Sequence, residues 1–304
     1  MRFFWSIWVA LLIVGAARGE TRFIVATYNL ENYHLRDFGN RKAKPPEARA
    51  KVVAHLAAIK PDVVALQEIG EPAALAELQA SLKAAGVDLR YSEHLAGWDT
   101  NIFVAVLSRF PITARHPHTN DQFLLGGRRF HSSRGTIEIE IAAAPHRRFT
   151  LLTTHLKSKR QLPGADESEL REQEALQLRA HIDALLARDP QRDVVVCGDL
   201  NDTKDAPAVR IIRGKGATAL VDTRPFERNG DMVPSDNRRL DPRRVAWTHF
   251  YGKEDTYSRI DYILLSRGMA RSWRPEGSYV FAAPDWGLAS DHRPVVCEFV
   301  VPDK

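Results

Sequence analysis

Gly198-Asp199-Leu200-Asn201-Asp202 follows the apolar run Val194-Val195-Val196-Cys197 and places a carboxylate and a carboxamide two residues apart. Strand side chains alternate with a period of two, so a chain that stays extended past Gly198 projects Asp199 and Asn201 to the same side. An ionised acceptor beside a neutral donor/acceptor can hold a water for attack on a phosphate or acyl group. A turn at a strand end explains an isolated G-D-x-N equally well. What separates the two readings is that other apolar runs also start or stop on such groups. Residues 23–28 lead to Asn29, residues 62–66 to Gln67-Glu68 and residues 149–154 to His155. Asp261 lies within the run 260–265, and Asp291-His292 precedes the run 295–300. Ligands of α/β sheets gather in the crevice outside strand ends, so residues scattered in sequence can meet there. Oxygen donors from Asn29, Glu68 and Asp291 suit Mg²⁺ or Mn²⁺. Zinc is disfavoured, because no histidine pair has His-x-x-x-His spacing with a glutamate and neither cysteine sits in a C-x-x-C. The absence of G-x-S-x-G and of G-x-x-x-x-G-K-[ST] counts against serine hydrolases and P-loop nucleotidases.

The elements that must carry these groups are legible from periodicity. Pro45-Pro46-Glu47 opens a helix with Val52, Leu56 and Ile59 on one face and Lys60-Pro61 at its end. A second helix is expected over 71–85 and a third, the longest, over 167–188, with Ala175, Leu178, Ile182 and Leu185 in one stripe. Strands are expected near 23–28, 62–66, 89–92, 102–107, 136–141, 149–154 and 194–199, then at 245–250, 260–265 and 295–300. Ile137-Glu138-Ile139-Glu140-Ile141 alternates as a half-exposed antiparallel strand does. Residues 116–134 and 223–244 read as polar, arginine-rich loops.

With 44% hydrophobic and 27% charged residues over 304 positions, the composition is that of a globular chain able to bury a sizeable core. The first stretch, with Arg2, an apolar run and small residues ending at Ala17-Arg18-Gly19, reads as a signal peptide over residues 1–19. Its apolar run is shorter than the roughly 20 residues of a membrane span. Its loss leaves residues 20–304 as one expected domain, with 41 basic against 38 acidic residues and no membrane anchor. So slight a basic excess permits a polyanionic partner without requiring one. Cys197 and Cys297 sit in apolar runs and are expected to be buried and unpaired.

Eight blocks in order then resemble the endonuclease/exonuclease/phosphatase superfamily: Thr27-Tyr28-Asn29-Leu30, Leu66-Gln67-Glu68, Leu107-Ser108-Arg109-Phe110-Pro111, Thr153-Thr154-His155-Leu156-Lys157-Ser158, Gly198-Asp199-Leu200-Asn201-Asp202, Trp247-Thr248, Arg259-Ile260-Asp261-Tyr262 and Ser290-Asp291-His292-Arg293-Pro294. The resemblance implies a DNase I-like α/β fold, a four-layer sandwich of two mixed β-sheets flanked by helices, that cleaves phosphate esters with a divalent metal. It implies Glu68 as principal metal ligand with Asn29 and Asp291 nearby. Asp199 is implied to position or deprotonate the attacking water, Asn201 to contact the phosphate, and Asp261 to orient His292 as acid/base. His155 is similar to the histidine that phosphatase, sphingomyelinase and DNase-like members set against a phosphate oxygen. From the residues alone, either Asp199 or His292 can be the general base.

The expected activity is that of a monomeric phosphodiesterase or nuclease, secreted or periplasmic, acting on nucleic acid. Arg109, Lys157 and Arg259 are candidate phosphate contacts, and Tyr33, Trp98 and Trp286 candidate base-stacking groups. The alternatives are a phosphomonoesterase or phospholipid phosphodiesterase of the same superfamily, and a non-catalytic binding module, which is disfavoured because every block is occupied. No clear exposed apolar hairpin of the kind a membrane-facing enzyme uses is evident in the sequence.

Overall fold

The computed structural model describes residues 20–229 and 244–302; the expected signal peptide, Arg238, Arg239 and Arg243 lie outside the described residues. The chain runs β1 (Glu20–Tyr33), α1 (Pro46–Ile59), β2 (Val63–Ile69), α2 (Pro72–Ala84), β3 (Tyr91–Leu95), β4 (Phe103–Ser108), β5 (Ile112–Arg115), β6 (Gln122–Leu125), β7 (Arg128–His131), β8 (Thr136–Ala144) and β9 (Arg147–His155). It continues through α3 (Glu167–Arg188), β10 (Val194–Asp199), α4 (Pro207–Arg213), β11 (Val221–Asp222), β12 (His249–Tyr251), β13 (Thr256–Ser258), β14 (Asp261–Leu265), α5 (Arg267–Ala270), β15 (Trp273–Val280) and β16 (Val295–Pro302).

Two six-stranded sheets result, in the orders β15-β16-β1-β2-β4-β3 and β11-β14-β10-β9-β8-β5. Both are mixed: β1 is parallel to β2 and antiparallel to β16, while β10 is parallel to β9 and antiparallel to β14. Alternation along each strand sorts side chains between layers. Phe23 and Val25 of β1 and Cys197 of β10 enter the core between the sheets with Ile139, Leu151, Ile263 and Phe299. Ala26 and Tyr28 turn the other way, against Val52 and Leu56 of α1 and Leu78 and Leu82 of α2. Leu152, Val196 and Leu264 meet Leu178 and Ile182 of α3 and Val209 and Ile212 of α4. The order helix, sheet, sheet, helix is the expected four-layer α/β sandwich.

The three main helices form where periodicity placed them. Proline occupies the first turn of α1 and α2. The Asp166 carboxylate caps α3 by accepting from Ser168 N and Glu169 N at 2.8 and 3.2 Å. No described helix is long and apolar enough to cross a membrane. Cys197 and Cys297 are buried and unpaired, and burial pushes both thiols up to about 12.

Several local expectations need correction. Residues 122–131 form the hairpin β6–β7 around Gly126-Gly127, both at positive φ, so the stretch is not an unstructured loop. Glu138 is not solvated: it is buried against His118. The expected strand 245–250 is only the short β12, paired with β13; neither β13 nor β15 has an apolar run to announce it.

Beneath the sheet end that carries Asn29, His55 of α1 is buried with its Nδ1 3.3 Å from the Tyr28 hydroxyl. Burial, reinforced by Lys51, lowers the imidazole to about 4. The unfolded chain therefore binds a proton between its ordinary pKa and about 4 that the folded chain refuses, and stability falls as pH drops through that window. Urea unfolding at pH 6.5 and at pH 4 should show this as a loss of up to about 3 kcal/mol. His55→Gln should remove that share, and an unchanged pH slope in the variant would exclude His55 as its source.

Candidate active site

The sheet topology brings the polar strand ends to one edge of the sandwich. In the second sheet Asp199 pairs in register with His155 on one side and Asp261 on the other. From the facing sheet come Asn29, in register with Gln67, and Glu68. Just inside this edge, the Gln67 amide exchanges hydrogen bonds with Thr27 at 3.1 and 3.2 Å and donates to Thr153 Oγ1 at 3.3 Å, tying the sheets together.

Two departures from regular backbone aim the key groups. Leu66 and Ile69 both pack in the layer under α1 and α2, an odd spacing that alternation forbids unless one residue is extra. That residue is Glu68, at φ 57°, where the β2–β4 register shifts. Its carboxylate thus leaves the pleat and accepts from Asn32 N at 3.1 Å. The extended geometry expected for Asn201 does not occur. β10 stops at Asp199, Asn201 adopts φ 53°, and its backbone N–H donates to Asp199 Oδ1 at 2.8 Å. Asp199 and Asn201 do meet, through a turn and not through strand alternation. Gly198 is required here: at φ 134° a Cβ would stand 2.0 Å from the Thr154 carbonyl oxygen.

Asp199 is the hub. Its Oδ2 accepts from Asn29 Nδ2 at 3.0 Å and Asn201 Nδ2 at 3.3 Å, and lies 3.4 Å from His155 Nε2 and 3.8 Å from His292 Nε2. His292 Nδ1 is 2.9 Å from Asp261 Oδ2, as the resemblance implied. The Ser290 hydroxyl accepts from His292 N and donates to the Asn29 carbonyl, while the Thr248 hydroxyl accepts from Ile260 N and Asp261 N. Burial, then the charge of Asp261, raises the Asp199 carboxyl to about 7. Burial alone would lower His292, but Asp261, Asp199 and Asp291 together raise it well above the ordinary imidazole range. His155, buried and near Arg134, is pushed well below it.

Asp291 stands at the rim, its side chain 41% exposed, 3.6 Å from His249 Nε2 and 3.9 Å from His292 Nε2. Glu31, at φ 47°, joins it by accepting from Asp291 N at 3.1 Å. Burial, then Asp291, raises the Glu31 carboxyl, and the buried Lys44 opposes this. Rich in carboxylate and amide oxygen, this flank fits a dication. Glu68 and Asp291 offer carboxylate oxygens to it. Asn29 faces the carboxylates with its nitrogen, Nδ2 reaching Glu68 Oε1 at 3.5 Å, and must turn its amide over to act as an oxygen ligand.

Four of the expected phosphate contacts are committed to partners within the protein. Arg109 is bound to Asp62 at 2.8 Å, at the opposite end of β2 from Glu68. Arg259 forks onto Asp222 at 2.9 and 2.7 Å and stacks on Tyr262, so it neither faces the site nor pairs with Asp261. The Lys157 ammonium donates to the carbonyls of Ser158 and Arg160. The Asn201 amide is committed to Leu156 O at 2.9 Å and to Asp199, which makes it a brace for Asp199 in place of a phosphate contact. Tyr33 is buried with its hydroxyl on Glu77, and Trp286 packs edge-on to Trp247; Trp98 alone of the three stands 57% exposed. Sequence reasoning missed Glu31, Lys44, Arg41, Arg134 and His249. Of these, Glu31 and His249 lie within two residues of quoted blocks, and the others had no local signal.

The Endonuclease/Exonuclease/phosphatase family model matches residues 26–292. No curated protein matches the chain. Among solved structures, the human Nocturnin catalytic domain with bound sulfate is 16% identical at TM-score 0.64, covering 94% of this chain and 98% of its own. Truncated Caenorhabditis elegans TDP2 is 18% identical at TM-score 0.61, covering 92% and 98%. Sphingomyelinase C from Streptomyces griseocarneus is 20% identical at TM-score 0.57, covering 91% and 99%. These likenesses show a shared fold.

If Asp261 is what holds the proton on His292, Asp261→Asn should return its titration toward the ordinary imidazole range. Histidine Cε1–H shifts followed by NMR across pH would show it, and a His292 titration identical in both proteins would refute the coupling.

Proposed function

Because this chain belongs to the Endonuclease/Exonuclease/phosphatase family, and is thereby a hydrolase of phosphoric esters, we propose that it is a Mg²⁺- or Mn²⁺-dependent phosphodiesterase acting on nucleic acid. The observation that supports the chemistry is the environment of Asp199, a buried carboxylate raised to about 7 within reach of two histidines of opposite character. A base poised near neutrality can take a proton from water without holding it too tightly. Asn201 and Asn29 keep that carboxylate oriented. His292, kept protonated by three carboxylates, serves as the donor to a phosphate oxygen or leaving group, with Asp261 fixing its ring. His155 is neutral and contributes one ring N–H toward a phosphate oxygen. Glu68 and Asp291, with Asn29 once its amide is turned, would hold the dication, which when bound neutralises charge building on the phosphate. We assign the base role to Asp199 and the acid role to His292, because a histidine already protonated has no lone pair to offer.

Support for a nucleic acid substrate comes from the rim. Trp98 stacks on His131 with ring centroids 3.7 Å apart and leaves one face to solvent, a surface on which a base can stack. Its neighbour Gly97 lies against the backbone of Arg134, whose charge reaches His155. One observation favours a phospholipid instead: the hairpin β12–β13 exposes Tyr251 and Tyr257 at 40% and 58%, next to His249. We further propose that the protein is exported and acts as a monomer.

Plasmid DNA and bis-nitrophenyl phosphate should be cleaved with Mg²⁺ or Mn²⁺, and EDTA should abolish the activity. Asp199→Asn and His292→Ala should each lower the rate by about 10² to 10⁴-fold. Turnover of phospholipid vesicles or sugar monophosphates with DNA untouched would overturn the substrate assignment while leaving the chemistry. Full activity in Asp199→Asn would overturn the mechanism.

A further inference from the structure

Exposed aromatic side chains flank the residues around Asp199 on two sides. Asp199 pairs in register with His155 of β9 on one side and with Asp261 of β14 on the other, and Asp261 in turn holds His292. On the β14 side a line of rings leads outward. The His292 and His249 centroids are 4.5 Å apart, those of His249 and Tyr251 6.4 Å apart, and the last two rings lie within 23° of parallel. Phe250 N donates to Asp291 O at 3.0 Å, which fixes β12 beside the site. Tyr251, at the end of the line, is exposed.

On the β9 side the link runs through Arg134, which donates to the carbonyl of Leu156, the residue after His155. Gly97 packs on the Arg134 backbone so closely that a Cβ there would stand 2.5 Å from the Arg134 carbonyl carbon. Asp99 N donates to Ser133 O at 2.6 Å, and the Asp99 carboxylate lies 3.4 Å from Arg134 Nε. Trp98, held between Gly97 and Asp99, stacks on His131 and is more than half exposed.

An aromatic group standing singly on a surface is ordinary, and a lipid surface also attracts tyrosines. Tyr251 and Tyr257, however, do not form one apolar patch. Strand alternation sets Tyr251 on the face of β12–β13 that carries His249, and Tyr257 on the other, where it stacks on Phe250 at 4.6 Å and meets Trp247 edge-on at 4.9 Å. We propose that Trp98 and Tyr251 are stacking platforms for bases on either side of the scissile phosphate, and that the substrate is therefore single-stranded nucleic acid, an inference that rests on the nucleic acid reading above. A base in a duplex has both faces covered by its neighbours and offers a protein only its edges and backbone. An unpaired strand can splay one base onto each ring, and every base has a face to stack. Arg41, whose Nη1 donates to Asn32 Oδ1 at 2.8 Å, and Arg134 add positive charge near His155, where the backbone of such a strand passes.

The test offers the full chain one oligonucleotide, unpaired or annealed to its complement, with Mg²⁺ or Mn²⁺ at fixed salt. The unpaired strand should be cleaved with a kcat/KM at least tenfold above that of the duplex. Trp98→Ala and Tyr251→Ala should each raise KM for the unpaired strand about tenfold, a larger change than any in kcat. Trp98→Phe, which keeps an aromatic face, should recover most of that loss. Trp98→Leu, which keeps bulk without a π face, decides the matter if Trp98→Ala misfolds. Cleavage of the duplex as fast as the unpaired strand, or a parental KM in both folded platform variants, would overturn the proposal and leave the nucleic acid reading in place. Cleavage of neither form, with phospholipid or a monophosphate turned over, would remove that reading and this inference with it.

Discussion

Asp199 and Asp261 are register partners on adjacent strands, both buried to 1% exposure, and two carboxylates so placed repel. Much of the architecture around them serves to make that arrangement tolerable. His292 lies against Asp261 and within ion-pair reach of Asp199, so a single imidazolium offsets both charges. The hydroxyls of Ser290 and Thr248 brace the two segments concerned, and the buried Arg293, stacked on Trp247 and bound to Glu227, anchors the chain next to His292. Removing a partner from such a group leaves an uncompensated buried charge, which costs more than the pair contributes. The same enclosure that endangers stability raises Asp199 to about 7, the range that the proposed base role requires.

The sheets supply the convergence. The parallel units β1-α1-β2 and β9-α3-β10 end on the same side of the sandwich, so Asn29 and Glu68 of one sheet face His155 and Asp199 of the other. Regular pleating alone would bury Glu68 beneath α1. The bulge at Glu68 and the left-handed turn at Asn201 are the two breaks that deliver oxygen atoms to the cleft. Each break is held by a backbone N–H donated to a carboxylate, from Asn32 to Glu68 and from Asn201 to Asp199.

Charge is distributed differently from what the basic motifs imply. Arg109 and Arg259 are bound to Asp62 and Asp222 and serve the scaffold. Among the described residues, Arg41, Lys44, Arg134 and Lys157 act on the cleft, and all of these but Arg41 are buried. Hard oxygen donors collect on the Glu68–Asp291 flank.

By itself the sequence determined the main layers and most residues of the candidate site, because both rest on local signals. Apolar runs and 3.6-residue stripes located the central strands and α1, α2 and α3, since burial on one or two faces imposes those periods. Asn29, Glu68, His155, Asp199, Asp261, Asp291 and His292 were legible as polar residues at strand ends. The short strands of β6–β7 and β12–β13 were not, because their pairing depends on turns more than on hydrophobic alternation. Only the tertiary structure decided which arginines are consumed by Asp62 and Asp222 and where Glu68 leaves its strand. Those outcomes depend on partners far apart in the chain, and spacing along the sequence carries no record of such contacts.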